Sequence, residues 1–141
     1  MKPLKKYWIS RLILGRYFKT IFVNGVVDEA VTALKKEEII VIFPEGGRTP
    51  DGEIRPPAGT GAAIISALAN APVIPTAIIG TFELWPKQQT MPKVKKIITI
   101  TFGNKIPPLK KNTAIETKKY MNTIMSTIAK LCKKRYYPNE H

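Results

Sequence analysis

The tightest constraint on the fold is a five-residue apolar run, Ile39-Ile40-Val41-Ile42-Phe43, closed by Pro44 and followed directly by Glu45-Gly46-Gly47-Arg48-Thr49. An uninterrupted, mostly β-branched run reads as a fully buried strand, and Pro44, which has no N–H, ends its ladder. Gly46 and Gly47 let the backbone turn closely around a ligand, and Arg48 offers a planar fork of donors matched to phosphate oxygens. Loops at the carboxyl ends of strands in open α/β sheets are where ligands sit. The same residues also suit an ordinary surface turn, since Gly and Pro are common there.

The rest of the chain supplies an α/β frame for that loop. Leu4, Trp8, Ile9, Leu12 and Ile13 recur at helical spacing, so residues 3–18 are expected to form an amphipathic helix, suited to a membrane interface or to the domain core. Ile21-Phe22-Val23 reads as a short strand. Residues 28–36 form a helix with acidic residues in its first turn and lysines in its last, as the helix dipole favours. Asp51-Gly52 marks a turn, residues 60–69 a small-residue helix, and Val73–Ile79 a buried strand in which Pro75 demands an edge, a bulge or a ligand-facing kink. Residues 97–102 read as a further strand. Thr113 and Glu116 have capping-box spacing ahead of a basic helix over 113–135, whose apolar face is Met121, Ile124, Met125, Ile128, Leu131 and Cys132. Strands alternating with helices predict one α/β domain with a mostly parallel or mixed sheet flanked by helices.

Length and composition agree with one unit. The 141 residues suffice for a single core, and 44% hydrophobic with 23% charged residues is ordinary for a folded protein. One cysteine, Cys132, excludes an internal disulfide framework and a multi-Cys zinc site. One histidine, His141, argues against a His-based metal site. Cys132, among apolar residues at helical spacing, reads as a small core filler. The uncharged stretch 56–82 is long enough to cross a bilayer, but Asn70, Pro72, Pro75 and Gly80 interrupt it, and a helix followed by a strand accounts for it better. No secretory signal is expected, because Ser10, Arg11 and Arg16 break the first apolar stretch.

The net charge of +13 is unevenly spread. Residues 24–103 are neutral overall, and the excess lies in residues 1–23, with six basic and no acidic side chains, and 104–141, with nine basic against two acidic. Basic ends with interleaved aromatics suit an anionic surface, either a phospholipid leaflet or nucleic acid. No nucleic-acid-binding motif accompanies them, so a basic nucleic-acid module is the weaker alternative.

Taken in order, the blocks Ile40–Thr49, Asp51-Gly52, Ala58-Gly59-Thr60-Gly61-Ala62, Ala71-Pro72-Val73-Ile74-Pro75 and Gly80-Thr81 resemble the glycerolipid acyltransferases, which include the 1-acylglycerol-3-phosphate (lysophosphatidic acid) acyltransferases. The likeness spans residues 14–107. The family's phosphate-contacting block is Phe-Pro-Glu-Gly-Thr-Arg, matched by Phe43–Arg48 with Gly47 in the threonine place. The resemblance therefore implies substrate binding by Glu45, Gly46, Gly47, Arg48 and Thr49, and a channel-shaping role for Pro75. It implies acyl transfer in phospholipid biosynthesis, from acyl-CoA or acyl carrier protein as co-substrate to a lysophospholipid, with no cofactor and no metal, at the cytoplasmic face of an anionic membrane as a peripheral protein.

Two departures stand out. Where the family has an arginine after its apolar-Asp/Asn block, Ile21-Phe22-Val23-Asn24 is followed by Gly25. The family's His-x4-Asp pair, whose histidine takes the acceptor hydroxyl's proton while the aspartate orients the imidazole, occurs nowhere in these 141 residues. His141, with no acidic residue after it, does not fit the pattern. Three expectations stay open: a truncated domain or mis-called start whose pair lies upstream of Met1, an inactive form that binds phospholipid precursors, and a base supplied by another chain. No catalytic residue is assigned.

Overall fold

The structure, a computed structural model, describes residues 18–20, 27–93 and 98–138. The expected helix over 3–18 lies outside them except for Phe18, which opens a strand instead. The expected strand at 21–23, the Asn24-Gly25 departure and His141 also lie outside.

Strand β1 (Phe18–Thr20) pairs in parallel with β2 (Ile39–Val41), Phe18 opposite Ile39 and Thr20 opposite Val41. Helix α1 (Val27–Lys35) connects them, with Asp28 and Glu29 in its first turn and Lys35 in its last. Such a parallel pair needs a crossover, and the helical pattern between two short apolar runs supplies it. α1 ends as Glu37 turns left-handed at φ 61° and the Glu38 N–H reaches the Ala33 carbonyl.

Helix α2 (Gly61–Ala69) is the shared wall of the molecule. Ile65 and Ala30 of α1 form one buried cluster with Val27, Val31, Leu34, Ile40 and Ile42 around it. Ala63, on the same helix, is buried with Met121 and Ile124 in a second cluster that draws in Val73, Ile106 and Leu109. Small residues let α2 approach neighbours on two sides, as its alanine-rich sequence leads one to expect. It ends at Asn70, left-handed at φ 48°, where the Ala71 N–H bonds the Ser66 carbonyl.

Strand β3 (Thr76–Ile79) pairs antiparallel with β4 (Thr99–Phe102), Ile78 opposite Ile100. The expected strand over 73–79 is split: Val73 makes a separate bridge to Ile106, and the regular ladder starts only after Pro75. A residue without an N–H belongs at such a break. Pro75 is buried, and its carbonyl accepts the Gly103 N–H at 2.8 Å. A four-residue helix α3 (Thr81–Leu84) follows β3, too short to leave a periodic signal in the sequence.

Helix α4 (Ala114–Cys132) packs on α2 and β3, burying Met121, Ile124, Met125 and Ala129. The Thr113 hydroxyl caps it, accepting the Glu116 N–H at 3.3 Å. No helix among the described residues is long and apolar enough to cross a membrane.

The class is α/β with mixed pairing, one parallel and one antiparallel pair in separate two-stranded sheets among the described residues. The fully buried strand expected at 39–43 is corrected: Ile39 is 54% and Phe43 45% exposed, because among the described residues one neighbouring strand and one helical layer flank this run. β4 is exposed likewise, with Phe102 70% accessible.

Candidate functional site

Beyond β2 the chain makes a tight turn in which the Gly46 N–H donates to the Phe43 carbonyl at 3.1 Å. Pro44 occupies the second position, where its fixed φ suits a turn. Gly46 has φ 71°, and a Cβ built on it would lie 2.8 Å from the Ala58 Cβ. Ala58 is held there because its N–H donates to the Pro44 carbonyl at 2.9 Å. Two blocks far apart in the sequence, 43–49 and 58–62, are thus stitched together, and Gly46 is required at the stitch. Gly47 differs: its φ is not positive and a Cβ would meet nothing within 4 Å, so the space at the threonine place is open.

Glu45 is half-buried and turned into the protein. Its Oε2 accepts the Arg55 N–H at 3.1 Å, which fixes the returning strand of the loop. Burial pushes its carboxyl above the ordinary range, while the Arg55 N–H and guanidinium pull the other way. A carboxylate repels phosphate, so the bond seen here is a loop-shaping one.

Between these anchors, residues 49–55 form a small polar turn. The Thr49 hydroxyl donates to Asp51 Oδ1 at 2.6 Å, the Glu53 N–H donates to the same oxygen at 3.1 Å, and Arg55 pairs with Asp51 Oδ2 at 2.8 Å. The Thr49 hydroxyl, the Glu53 N–H and the Arg55 charge together hold the Asp51 carboxyl down at about 2. Thr49 is therefore committed to Asp51. Gly52 has φ 82°, and a Cβ there would touch the Phe82 ring at 2.9 Å. From the far end of α4, Lys134 reaches the Gly52 carbonyl and lies 3.3 Å from Glu53 Oε1.

Arg48 is exposed at the end of the glycine pair. Its Cζ lies 5.4 Å from the centroid of the Trp85 ring, and its Nη1 and Nη2 donate to the Trp85 and Lys87 carbonyls at 3.5 and 3.4 Å. Residues 45–49 form one continuous loop in which Gly46, Gly47 and Arg48 are exposed. Pro75, the sixth residue expected at the site, is bonded to Gly103 and buried on the α4 side, in the break before β3. Sequence reasoning missed Trp85, Arg55 and Lys134, which contact the loop in space. Cys132 is half-buried and burial pushes its thiol up, the reverse of an activated nucleophile.

The sequence model of the Acyltransferase family matches residues 2–79, more than half of the chain, including the whole Glu45–Thr49 loop and Pro75. The chain belongs to the acyltransferase family. Among solved structures, the 1-acyl-sn-glycerophosphate (LPA) acyltransferase PlsC from Thermotoga maritima superposes with a TM-score of 0.60 at 25% sequence identity, over 77% of this chain and 46% of that one. The chain thus spans about half the length of that acyltransferase. No curated protein sequence matches it. Trp85, Lys87 and Lys134 lie beyond the residues that the family model matches, so this chain holds its loop in part with residues outside the matched region.

Proposed function

We propose that this chain forms the substrate-binding part of an acyltransferase of phospholipid biosynthesis, which moves a fatty acyl group from a thioester of coenzyme A or acyl carrier protein to the free hydroxyl of a lysophospholipid such as 1-acylglycerol-3-phosphate. The observation that carries the reading is the exposed Arg48 guanidinium next to the open space at Gly47, on a loop of family-matched sequence. Arg48 takes the phosphate of the acceptor, with the backbone N–H of Gly47 as a further donor. Glu45 and Thr49 act one step back, by shaping the loop through Arg55 and Asp51. Pro75 keeps the break between Val73 and β3 and so the wall beside α4.

In the reaction proposed, the acceptor hydroxyl attacks the thioester carbonyl, its proton passes to a base, and the thiolate leaves. The 141 residues contain no His-x4-Asp pair to act as that base. A form that binds lysophospholipid without turning it over is thus the second reading, and it shares the same site. Peripheral attachment to the cytoplasmic, anionic face of a membrane belongs to the same proposal, supported by the concentration of basic residues at the two ends of the sequence.

Calorimetric titration of sn-glycerol 3-phosphate tests the site. Replacing Arg48 by Ala is expected to weaken binding at least about tenfold, the scale of a charge-assisted hydrogen bond. Unchanged affinity in Arg48→Ala would remove this residue from the site.

A further inference from the structure

Residues 81–93 cross the ligand loop as a strap. Phe82 lies against Gly52, with ring carbons 2.9 to 3.4 Å from where a Cβ would stand. Gln88 Nε2 donates to the Pro50 carbonyl at 3.3 Å, and the Trp85 and Lys87 carbonyls face the Arg48 guanidinium. The strap is itself tied: the Trp85 indole N–H donates to the Gln89 carbonyl at 2.8 Å, and the Lys93 N–H to the Leu84 carbonyl at 2.7 Å. Its tryptophan is thereby fixed by its own hydrogen bond before it meets Arg48.

An exposed arginine normally samples many rotamers, and ordering it on a ligand costs side-chain entropy. Here the indole face and two carbonyls restrict the guanidinium in advance. The two carbonyl contacts, at 3.5 and 3.4 Å, are long, so they orient the group without saturating it. Of its five N–H donors, one on each Nη faces the strap. The other three remain for a phosphate, enough for a two-pronged contact.

We propose that Trp85 is a positioning residue for phosphate recognition: with its ring face under the Arg48 guanidinium it holds that group at the mouth of the Glu45–Thr49 loop, and so sets affinity for a phosphomonoester head group. This rests on the reading of that loop as the phosphate site. Trp85 lies outside the residues matched by the family model.

The test is a double-mutant cycle on the whole 141-residue protein, with sn-glycerol 3-phosphate as the titrated probe and thermal melts to verify folding. Trp85→Leu, which keeps apolar bulk but loses the aromatic face, is expected to weaken binding about two- to fivefold, the scale of an exposed cation–π contact. Trp85→Phe is expected to restore most of the affinity. In the Arg48→Ala background the Trp85→Leu change should have no further effect, because nothing remains to be positioned. Additive losses, or undiminished binding in Trp85→Leu while Arg48→Ala loses it, would overturn the positioning role alone. If the unmutated protein fails to bind the probe, or Arg48→Ala binds it as well, the phosphate reading of the loop falls and the role of Trp85 falls with it.

Discussion

Asp51 and Glu45 sit on one loop and respond to pH in opposite senses. With its carboxyl held at about 2 in the folded state, Asp51 contributes stability that is fully present above the ordinary carboxylate range and is lost as pH falls from there through about 2. Glu45 is raised by burial, so the stability tied to its protonated form is present at low pH and disappears as pH rises through its folded pKa. Replacing Asp51 by Asn is accordingly expected to lower the melting temperature at pH 7, with the gap to the unmutated protein closing as the buffer is taken toward pH 2. A gap that stayed constant with pH would mean that the Thr49, Glu53 and Arg55 contacts do not favour the ionised form. None of this was legible in the sequence beyond Asp51-Gly52 as a turn, because the partners of Asp51 depend on how residues 49–55 close on themselves. Arg48 was legible as a candidate ligand residue from its glycine neighbours. Its stacking on Trp85, 37 residues away in the chain, was not.

At the scale of elements, local periodicity located α1, α2 and α4 and left strand pairing undetermined. α4 was visible from the spacing of Met121, Ile124, Met125 and Ile128 and from Thr113 ahead of Glu116, and each signal has its counterpart in burial or in a cap bond. The contrast along this helix is measurable. Met125 is fully buried, so Met125→Ala is expected to cost about 2–5 kcal/mol in urea unfolding. Ile115, 78% exposed on the same helix, is expected to change stability by less than about 0.5 kcal/mol when replaced by Ala. Equal costs would mean that α4 does not bury the face assigned to it. Strands behaved differently. The runs at 39–43 and 73–79 were identified as β, yet the first is half exposed and the second is broken by Pro75, since side-chain pattern reports neither how many neighbours a strand has nor their direction. α3 was missed because four residues carry no period.

For the molecule as a whole, family membership and the proposed chemistry separate cleanly. The 141-residue protein is expected to bind sn-glycerol 3-phosphate and yet show little or no release of free thiol from an acyl thioester in the presence of lysophosphatidic acid. Robust turnover would mean that a base other than a His-x4-Asp histidine serves the site. Residue order alone carried the family resemblance, the α/β class and the phosphate-loop candidate, because a buried-type run, a proline stop, two glycines and an arginine are contiguous and their chemistry is local. Tertiary structure decided the rest: that Glu45 faces Arg55, that Gly46 abuts Ala58, that Lys134 closes on Gly52 and that Trp85 stacks on Arg48. Each of these joins residues ten or more positions apart, a separation that no local pattern encodes.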